Sequence, residues 1–151
     1  MKYRLTDETK EYYGRILHRI EAVETFGSVE AGEKGGWIEK EANLSQEGLS
    51  WVSGDAWVYG NSQVCDDVQV YDNAQIRSRG DIFWVTGLGS RYGTTTIYRN
   101  KDGGLTVTCG CFLGTLEEFE AKVKETHGSN VFGREYLKLI ELAKLHFEVE
   151  G

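Results

Sequence analysis

The amino-acid sequence predicts a mainly β protein, with a coil of short parallel strands at its centre and an α+β carboxy-terminal part. Three observations support this prediction. A six-residue repeat runs through the middle of the chain, 19 of the 151 residues are glycine while none is proline, and apolar residues near the carboxy terminus recur at helical spacing. Abundant glycine without proline and without a Gly-X-Y period is typical of a β-rich segment with many turns, and it excludes a collagen-like chain.

The repeat is marked by an aliphatic residue at the start of each six-residue block. These residues are Val52, Val58, Val64, Val70, Ile76 and Ile82. Pairs such as Gly54-Asp55 and Gly60-Asn61 lie between them, and such residues favour turns because they tolerate left-handed backbone. If three blocks make one turn of a coil, aliphatic side chains stack in columns inside it. The predicted stacking pairs are Val52 on Val70, Val58 on Ile76 and Val64 on Ile82.

The aliphatic residue, the Gly/Asp/Asn turn and the small residue of each block make residues 38–83 resemble the hexapeptide-repeat, left-handed β-helix superfamily. This resemblance implies a short left-handed parallel β-helix that self-associates, commonly as a trimer. Over most of its length, including GGWIEKEANLSQEGLSWV and CGCFLGTLEEFEAKVKETHG, the chain also resembles uncharacterised β-helix proteins that bacteriophages and prophages encode. The second resemblance implies a phage origin but no particular reaction.

The segments that flank the repeat divide the chain into three predicted domains. These are an amino-terminal β-hairpin cap at 1–37, the hexapeptide-repeat β-helix at 38–86 and a ββαα module at 87–151. In the cap, alternating apolar residues over 15–23 predict a strand. We expect it to pair with residues 2–5 across a connection at 6–11. A cap is needed because an open coil end exposes unpaired backbone groups.

The carboxy-terminal module is predicted from two strands and two helices. Its predicted elements are strands at 94–99 and 105–109 and helices at 116–126 and 131–147. Thr115 precedes Glu118 by three residues, which is the spacing of a capping box at the start of the first helix. Ser129 or Asn130 supplies the cap of the second.

The charge of the chain limits its possible partners. Lys and Arg total 17 against 24 Asp and Glu, which gives a net charge of −7 and a pI near 5.0. This is opposite to the charge expected of a general nucleic-acid binder, so duplex nucleic acid is a poor partner. Apolar runs are too short for a membrane span. Three cysteines cannot all pair, so we expect a cytoplasmic protein, in the host cytosol if a phage encodes it.

Aromatic residues at outward positions of the repeat region form the predicted partner interface. They are Trp51, Trp57, Tyr59, Tyr71, Phe83 and Trp84. An exposed strip of aromatic side chains is unusual on a monomer, so something is expected to cover it. The alternatives are burial under the chain's own flanking segments, self-association as a trimer or dimer, and a protein partner such as a host protein.

The loop that follows the repeat is the predicted ligand-binding segment. Its candidate residues are Ser90, Arg91, Thr94, Thr95 and Thr96. Hydroxyls, a guanidinium and backbone N–H groups from neighbouring glycines suit a phosphate or nucleotide. The segment lacks the Gly-Lys-Ser/Thr ending of a P-loop, and a strand follows it instead of a helix. A plain turn leading into a solvated strand is the alternative.

Cys109-Gly110-Cys111, together with His127, suggests either metal ligation or a Cys/His nucleophile. A C-x-C pair lacks the second ligand pair of a structural zinc site, so small buried residues at a strand end are the simpler interpretation. On this basis we expect no metal site, no cofactor and no catalytic residue.

These observations favour a non-enzymatic binding or assembly protein of a phage or prophage, one that inhibits a host defence protein by occluding its surface. A nucleotide- or phosphate-binding protein that uses the 87–96 loop is the first alternative. A hexapeptide-repeat acyltransferase is the second. Many such acyltransferases use a histidine on the coil as general base, and this repeat has none, since the histidines are His18, His127 and His146.

Overall fold

The computed structural model describes residues 1–150, with side chains described through residue 148. The chain forms two compact units, the first from Met1 to Arg79 and the second from Gly80 onward. The strands are β1 Tyr3–Tyr12, β2 Arg15–Ala22, β3 Lys34–Ile38, β4 Trp51–Val52, β5 Trp57–Val58, β6 Gln69–Val70, β7 Gln75–Ile76, β8 Ile82–Leu88, β9 Gly93–Arg99, β10 Leu105–Cys109 and β11 Phe112–Thr115. The helices are α1 Leu116–His127 and α2 Val131–Glu150. Across residues 1–150, no helix is both long and apolar enough to cross a bilayer.

The first two strands form a long antiparallel hairpin. Its turn is Tyr13-Gly14, where both residues have positive φ, +47° and +79°. The strand predicted at 15–23 is present as β2, and its Leu17 and Ile20 are fully buried. The predicted connection at 6–11 is wrong, because β1 continues through those residues with one register irregularity and turns back only at its far end.

The repeat forms short parallel strands that stack in register. Val52 of β4 lies opposite Val70 of β6. Val58 of β5 lies opposite Ile76 of β7, and the Tyr59 N–H donates to the Ile76 carbonyl at 3.0 Å. These two predicted stacking pairs are confirmed. Every aliphatic residue that begins a block is at most 4% exposed, so the six-residue spacing marks the interior.

The third predicted pair, Val64 on Ile82, is wrong. Val64 forms a parallel bridge with Leu44 instead, while Ile82 pairs antiparallel with Tyr98 in the second unit. The chain leaves the repeat through a single 3-10 turn at Arg79–Asp81. Ile82 therefore keeps its buried position but begins a different sheet.

The predicted fold class, a left-handed parallel β-helix with a separate hairpin cap and a ββαα module, is wrong. The hairpin is continuous with the repeat in one mixed five-stranded sheet, of order β1-β2-β3-β5-β7. Its first three strands are antiparallel, and the parallel strands β5 and β7 are only two residues long. Strands β4 and β6 form a separate two-stranded sheet. Because β2 pairs edge to edge with β3, the hairpin extends a sheet rather than closing the end of a coil.

The second unit is a four-stranded antiparallel sheet of order β11-β10-β9-β8 with two helices. The strands predicted at 94–99 and 105–109 are present, but β8 and β11 were not predicted. Apolar side chains from the sheet and both helices form one core, which includes Ile97, Val107, Phe119 and Ile140.

Both helices of the second unit begin at side-chain caps. The capping box predicted for α1 is confirmed: the Thr115 hydroxyl accepts from the Glu118 N–H at 3.0 Å, and the Glu118 carboxylate accepts from the Thr115 N–H at 2.8 Å. Asn130 caps α2, because its side-chain oxygen accepts from the Gly133 N–H at 2.9 Å. Each cap satisfies backbone donors that have no partner within the helix.

Two buried polar side chains fasten the loops of the first unit to its strands. The Lys2 ammonium donates to the Ser50 carbonyl at 2.8 Å, and burial lowers the pKa of this lysine. The Asn43 side-chain amide donates to the carbonyls of Ser62 at 2.9 Å and Gly60 at 3.2 Å. Backbone carbonyls that the short strands leave unpaired are satisfied in this way.

Replacing Ile38 with Ala is expected to lower the free energy of unfolding by about 2–5 kcal/mol, since Ile38 is fully buried and its removal leaves a cavity. Ile16→Ala is the matched control, because Ile16 is also in the five-stranded sheet but is 45% exposed. Urea unfolding of both variants measures the difference. Equal losses would contradict the assignment of Ile38 to the core.

Replacing Gly60 with Ala is expected to destabilise the protein more than Gly103→Ala does. Both glycines have positive φ, +66° and +84°, so both variants incur the left-handed cost of about 1–2 kcal/mol. Only at Gly60 would the added methyl group overlap a backbone oxygen, that of Arg77, whereas Gly103 faces open space. Thermal unfolding compares the two, and a larger loss for Gly103→Ala would contradict the expectation.

Candidate functional site

The residues of the predicted ligand-binding loop do not converge on one site. Ser90 and Arg91 are exposed in the turn between β8 and β9, whereas Thr95 and Thr96 are 1% exposed. Thr94 pairs instead with the Thr86 hydroxyl across the hairpin, at 2.9 Å. Successive residues of a strand point to opposite faces, so the threonine hydroxyls cannot line a single phosphate cradle.

The predicted aromatic interface is not a continuous exposed strip. Trp51 is 2% exposed and packs edge-on against Phe26 and Tyr3, at ring-centroid distances of 5.3 Å and 6.4 Å. Tyr59 is 3% exposed and packs with Leu17. These two residues therefore cannot offer surface to a partner, because the amino-terminal segment covers them.

The other four aromatic residues of that prediction are half-buried and belong to two different units. Trp57 and Tyr71 are in the first unit. Phe83 and Trp84 are in the second, where Phe83 contacts the rings of His146 and Phe147 of α2, at 5.1 Å and 5.8 Å. The predicted trimer or dimer and the predicted host partner stay predictions.

A groove of about 350 Å³ in the second unit is the strongest candidate site. We call it the thiol groove. Its walls include Cys109, Cys111, Phe119, Lys122, His127 and Tyr136. The helical wall is formed by one face of α1, where Lys122, Val123 and Thr126 follow Phe119 by three, four and seven residues and His127 lies next to Thr126. The opposite wall is the end of β10 and its turn into β11.

Cys109 lies between two hydroxyl groups in this groove. The Thr95 hydroxyl donates to the Cys109 sulfur at 3.2 Å, and the Tyr136 hydroxyl lies 3.8 Å from the same sulfur. The Tyr136 hydroxyl also donates to the Leu88 carbonyl at 3.5 Å. Burial, and then the contact with Cys109, raise the pKa of Tyr136 to about 12. The phenol therefore stays protonated at neutral pH and remains a hydrogen-bond donor.

His127, the last residue of α1, places its imidazole in the same groove. The ring stacks on Tyr136 at a centroid distance of 5.8 Å and an interplanar angle of 26°, and it lies 5.9 Å from the Phe132 ring. Within the described residues, the ring makes no hydrogen bond. An imidazole held by stacking alone keeps both ring nitrogens available to take or give a proton.

The structure thus brings together Cys109, Cys111 and His127, which the sequence analysis singled out as a group. All three cysteines are free thiols. Among the side chains that the structure describes, no three His, Cys, Asp or Glu residues are placed to hold a metal ion. The groove therefore holds two thiols and an imidazole, the groups that the interpretation as a Cys/His nucleophile requires.

The sequence analysis missed Tyr136 and Lys122 in the groove, and Thr95 behind Cys109, as parts of this site. Tyr136 fits the apolar spacing of the second helix, Lys122 has no signal of its own, and Thr95 is among the residues predicted to bind a phosphate. The spacing of Phe119 to His127 on one face of α1 is the signal that was available. It marked a helix face without showing that the end of β10 lies opposite.

Part of the chain is similar to a curated protein. No family model matches this chain. Over 59 residues it is 37% identical to a protein of Escherichia coli (strain K12) described as the uncharacterized acetyltransferase YdcK. The matched region is 34% of this chain and 18% of that protein, so the chain spans less than a fifth of the curated relative's length. The prediction that the protein is not an enzyme is contradicted by this similarity. The predicted phage origin stays a prediction.

Replacing Tyr136 with Phe is expected to flatten the loss of stability between about pH 10 and about pH 12. The raised pKa of Tyr136 means that the folded protein keeps a proton which the unfolded chain releases near pH 10. The stability that the protein gains from the raised pKa of Tyr136 is therefore complete below about pH 10 and is lost as the pH rises through about 12. Urea unfolding at several pH values measures the effect. Parallel pH profiles for the two proteins would contradict it.

Proposed function

We propose that this protein transfers an acyl group from a thioester and that the thiol groove is the site of transfer. The observation that carries the proposal is the position of Cys109, whose sulfur lies between the hydroxyls of Thr95 and Tyr136 in a groove that also holds an imidazole. The similarity of part of the chain to a protein described as an acetyltransferase supports the same class of reaction.

The position of the histidines favours the groove over the repeat as the site. The His146 ring bonds the Gly80 carbonyl at 2.9 Å and packs against Phe83. The His18 ring lies 3.3 Å from the Thr6 carbonyl. Only the His127 ring lies in the groove without a hydrogen bond among the described residues. Since acyl transfer needs a base at neutral pH, His127 is the residue that we assign to this role.

The proposed first step is a thioester exchange on Cys109. His127 removes the thiol proton, and the Cys109 thiolate attacks the carbonyl carbon of the donor thioester. A bond forms between the Cys109 sulfur and the acyl carbon, the bond from that carbon to the donor sulfur breaks, and the donor leaves as a thiol carrying the proton. The Thr95 hydroxyl stabilises the thiolate before attack, because it donates a hydrogen bond to the same sulfur.

Tyr136 is assigned to the carbonyl oxygen of the donor. Its phenol stays protonated far above neutral pH, and its oxygen lies 3.8 Å from the attacking sulfur. The single proton of this hydroxyl, which points to the Leu88 carbonyl at 3.5 Å, would turn to the acyl oxygen and stabilise the negative charge that develops there as the thiolate adds. The acyl group then passes from Cys109 to an amine or hydroxyl acceptor, which gains the acyl group as it loses a proton to His127.

The size and lining of the groove agree with a thioester donor. Its volume of about 350 Å³ lies at the small end of the range typical of small-molecule sites. Phe112, a half-buried lining residue, offers apolar surface to an acyl chain and the arm that carries it. The Lys122 side chain, which is exposed, provides a cation for an anionic end of the donor.

Incubation with acetyl-coenzyme A is expected to add one acetyl group to Cys109. Intact-protein mass spectrometry detects the addition, and peptide mapping locates it. Cys109→Ser is expected to abolish the labelling, whereas Cys65→Ser, which changes a half-buried free thiol of the first unit, is the matched control. His127→Gln is expected to slow the labelling by roughly 100-fold or more, as for loss of a general base. Labelling that Cys109→Ser does not change would contradict the proposal, as would an unlabelled wild-type protein.

A further inference from the structure

One face of the five-stranded sheet carries an aromatic row near the hairpin turn, formed by Tyr13, Tyr12 and Trp57. Successive rings meet edge to face, with centroids 4.6 Å apart between Tyr13 and Tyr12 and 4.8 Å apart between Tyr12 and Trp57. The Gln75 side-chain amide donates to the Tyr12 hydroxyl at 3.1 Å. Tyr12 is therefore held against Trp57 and Gln75, whereas Tyr13 lies at the exposed end of the row, and all of these residues belong to the first unit.

Cations lie beside the aromatic row although the chain as a whole is acidic. The Lys10 ammonium is 5.3 Å from the centre of the Trp57 ring and 4.5 Å from that of Trp37, and it forms no salt bridge within the described residues. The Arg15 guanidinium lies 5.5 Å from the Tyr59 ring. It is bound to Glu39 at 2.8 Å, so Lys10 is the cation of this face that no carboxylate neutralises.

Tyr13 occupies a position that its side chain does not favour. It is the first residue of a two-residue hairpin turn, with a φ of +47°, where Asn, Asp or Gly is preferred. The side chain is 89% exposed, so it gains little by packing. The ring of Tyr13 therefore has a face open to a ligand, unlike the half-buried rings of Tyr12 and Trp57 beside it.

We propose that this face binds single-stranded nucleic acid, with bases stacked on the aromatic row, above all on the 89% exposed ring of Tyr13, and phosphates beside Lys10. Proteins that bind single strands combine a row of aromatic rings with neighbouring cations, because every base has a stacking face and every nucleotide a negative charge. In a duplex the base faces are covered by their neighbours. The row therefore selects unpaired strands, and the net charge of −7 keeps the affinity modest.

Fluorescence anisotropy with a labelled oligothymidylate at low salt tests the proposal. Tyr13→Asn removes the ring and places a favoured residue at the left-handed position, so the fold is preserved or stabilised. We expect the dissociation constant to rise about 5- to 150-fold, the range for losing one stacked base. Tyr92→Asn is the matched control, since Tyr92 is also left-handed, with a φ of +52°, and 71% exposed, but lies in the second unit. Its affinity is expected to equal that of the wild type.

Two further measurements sharpen the test. Lys10→Gln is expected to weaken binding and to reduce its salt dependence. For the wild type, one or two phosphate contacts correspond to roughly a three- to sevenfold loss of affinity when the salt concentration rises fourfold. No binding of the oligothymidylate at low salt would overturn the proposal. So would equal effects of Tyr13→Asn and Tyr92→Asn, or a duplex of the same sequence bound as tightly as the single strand.

Discussion

The parallel backbone pairing between the short strands of the repeat is the constraint on which the first unit depends. Its strands β4 to β7 are two residues long, too short to persist alone. They hold together because Ile38, Val58 and Ile76 follow one another across the sheet, each fully buried, so that one row of aliphatic side chains excludes water from all three strands. The hairpin continues the sheet beyond this row, since His18 of β2 pairs with Ile38 of β3.

The same sheet has a second face whose chemistry is different. Its inner face is aliphatic, whereas the other face gathers Trp37 and its neighbours into a small aromatic cluster covered by long cationic side chains. Lys10 and Arg19 both lie over the Trp37 ring, at 4.5 Å and 5.2 Å, so their long side chains shield the indole. Because successive side chains of a strand point to opposite faces, one face of the sheet stabilises the fold while the other presents the aromatic and cationic side chains.

The second unit builds its candidate site from residues that are far apart in the chain. Thr95, Cys109, His127 and Tyr136 come from β9, β10, α1 and α2 respectively. The core of Ile97, Val107 and the two helices fixes the distances among them, so the Cys109 sulfur is positioned by packing rather than by a local motif. A site of this kind has no contiguous sequence signature, which is consistent with the absence of a P-loop or a C-x-x-C motif in this chain.

By itself the sequence determined the local features of this protein: the buried aliphatic position of every block, the pairs Val52 with Val70 and Val58 with Ile76, the capping box at Thr115, and the grouping of two cysteines with His127. Each depends on periodicity or on neighbours a few residues away. Only the tertiary structure decided how the strands join, because the six-residue spacing reports burial and is the same whether a coil closes or an antiparallel hairpin extends the sheet. It also decided that Tyr136 and Thr95 meet Cys109, since such contacts depend on the packing of helices against a sheet and leave no spacing in the chain.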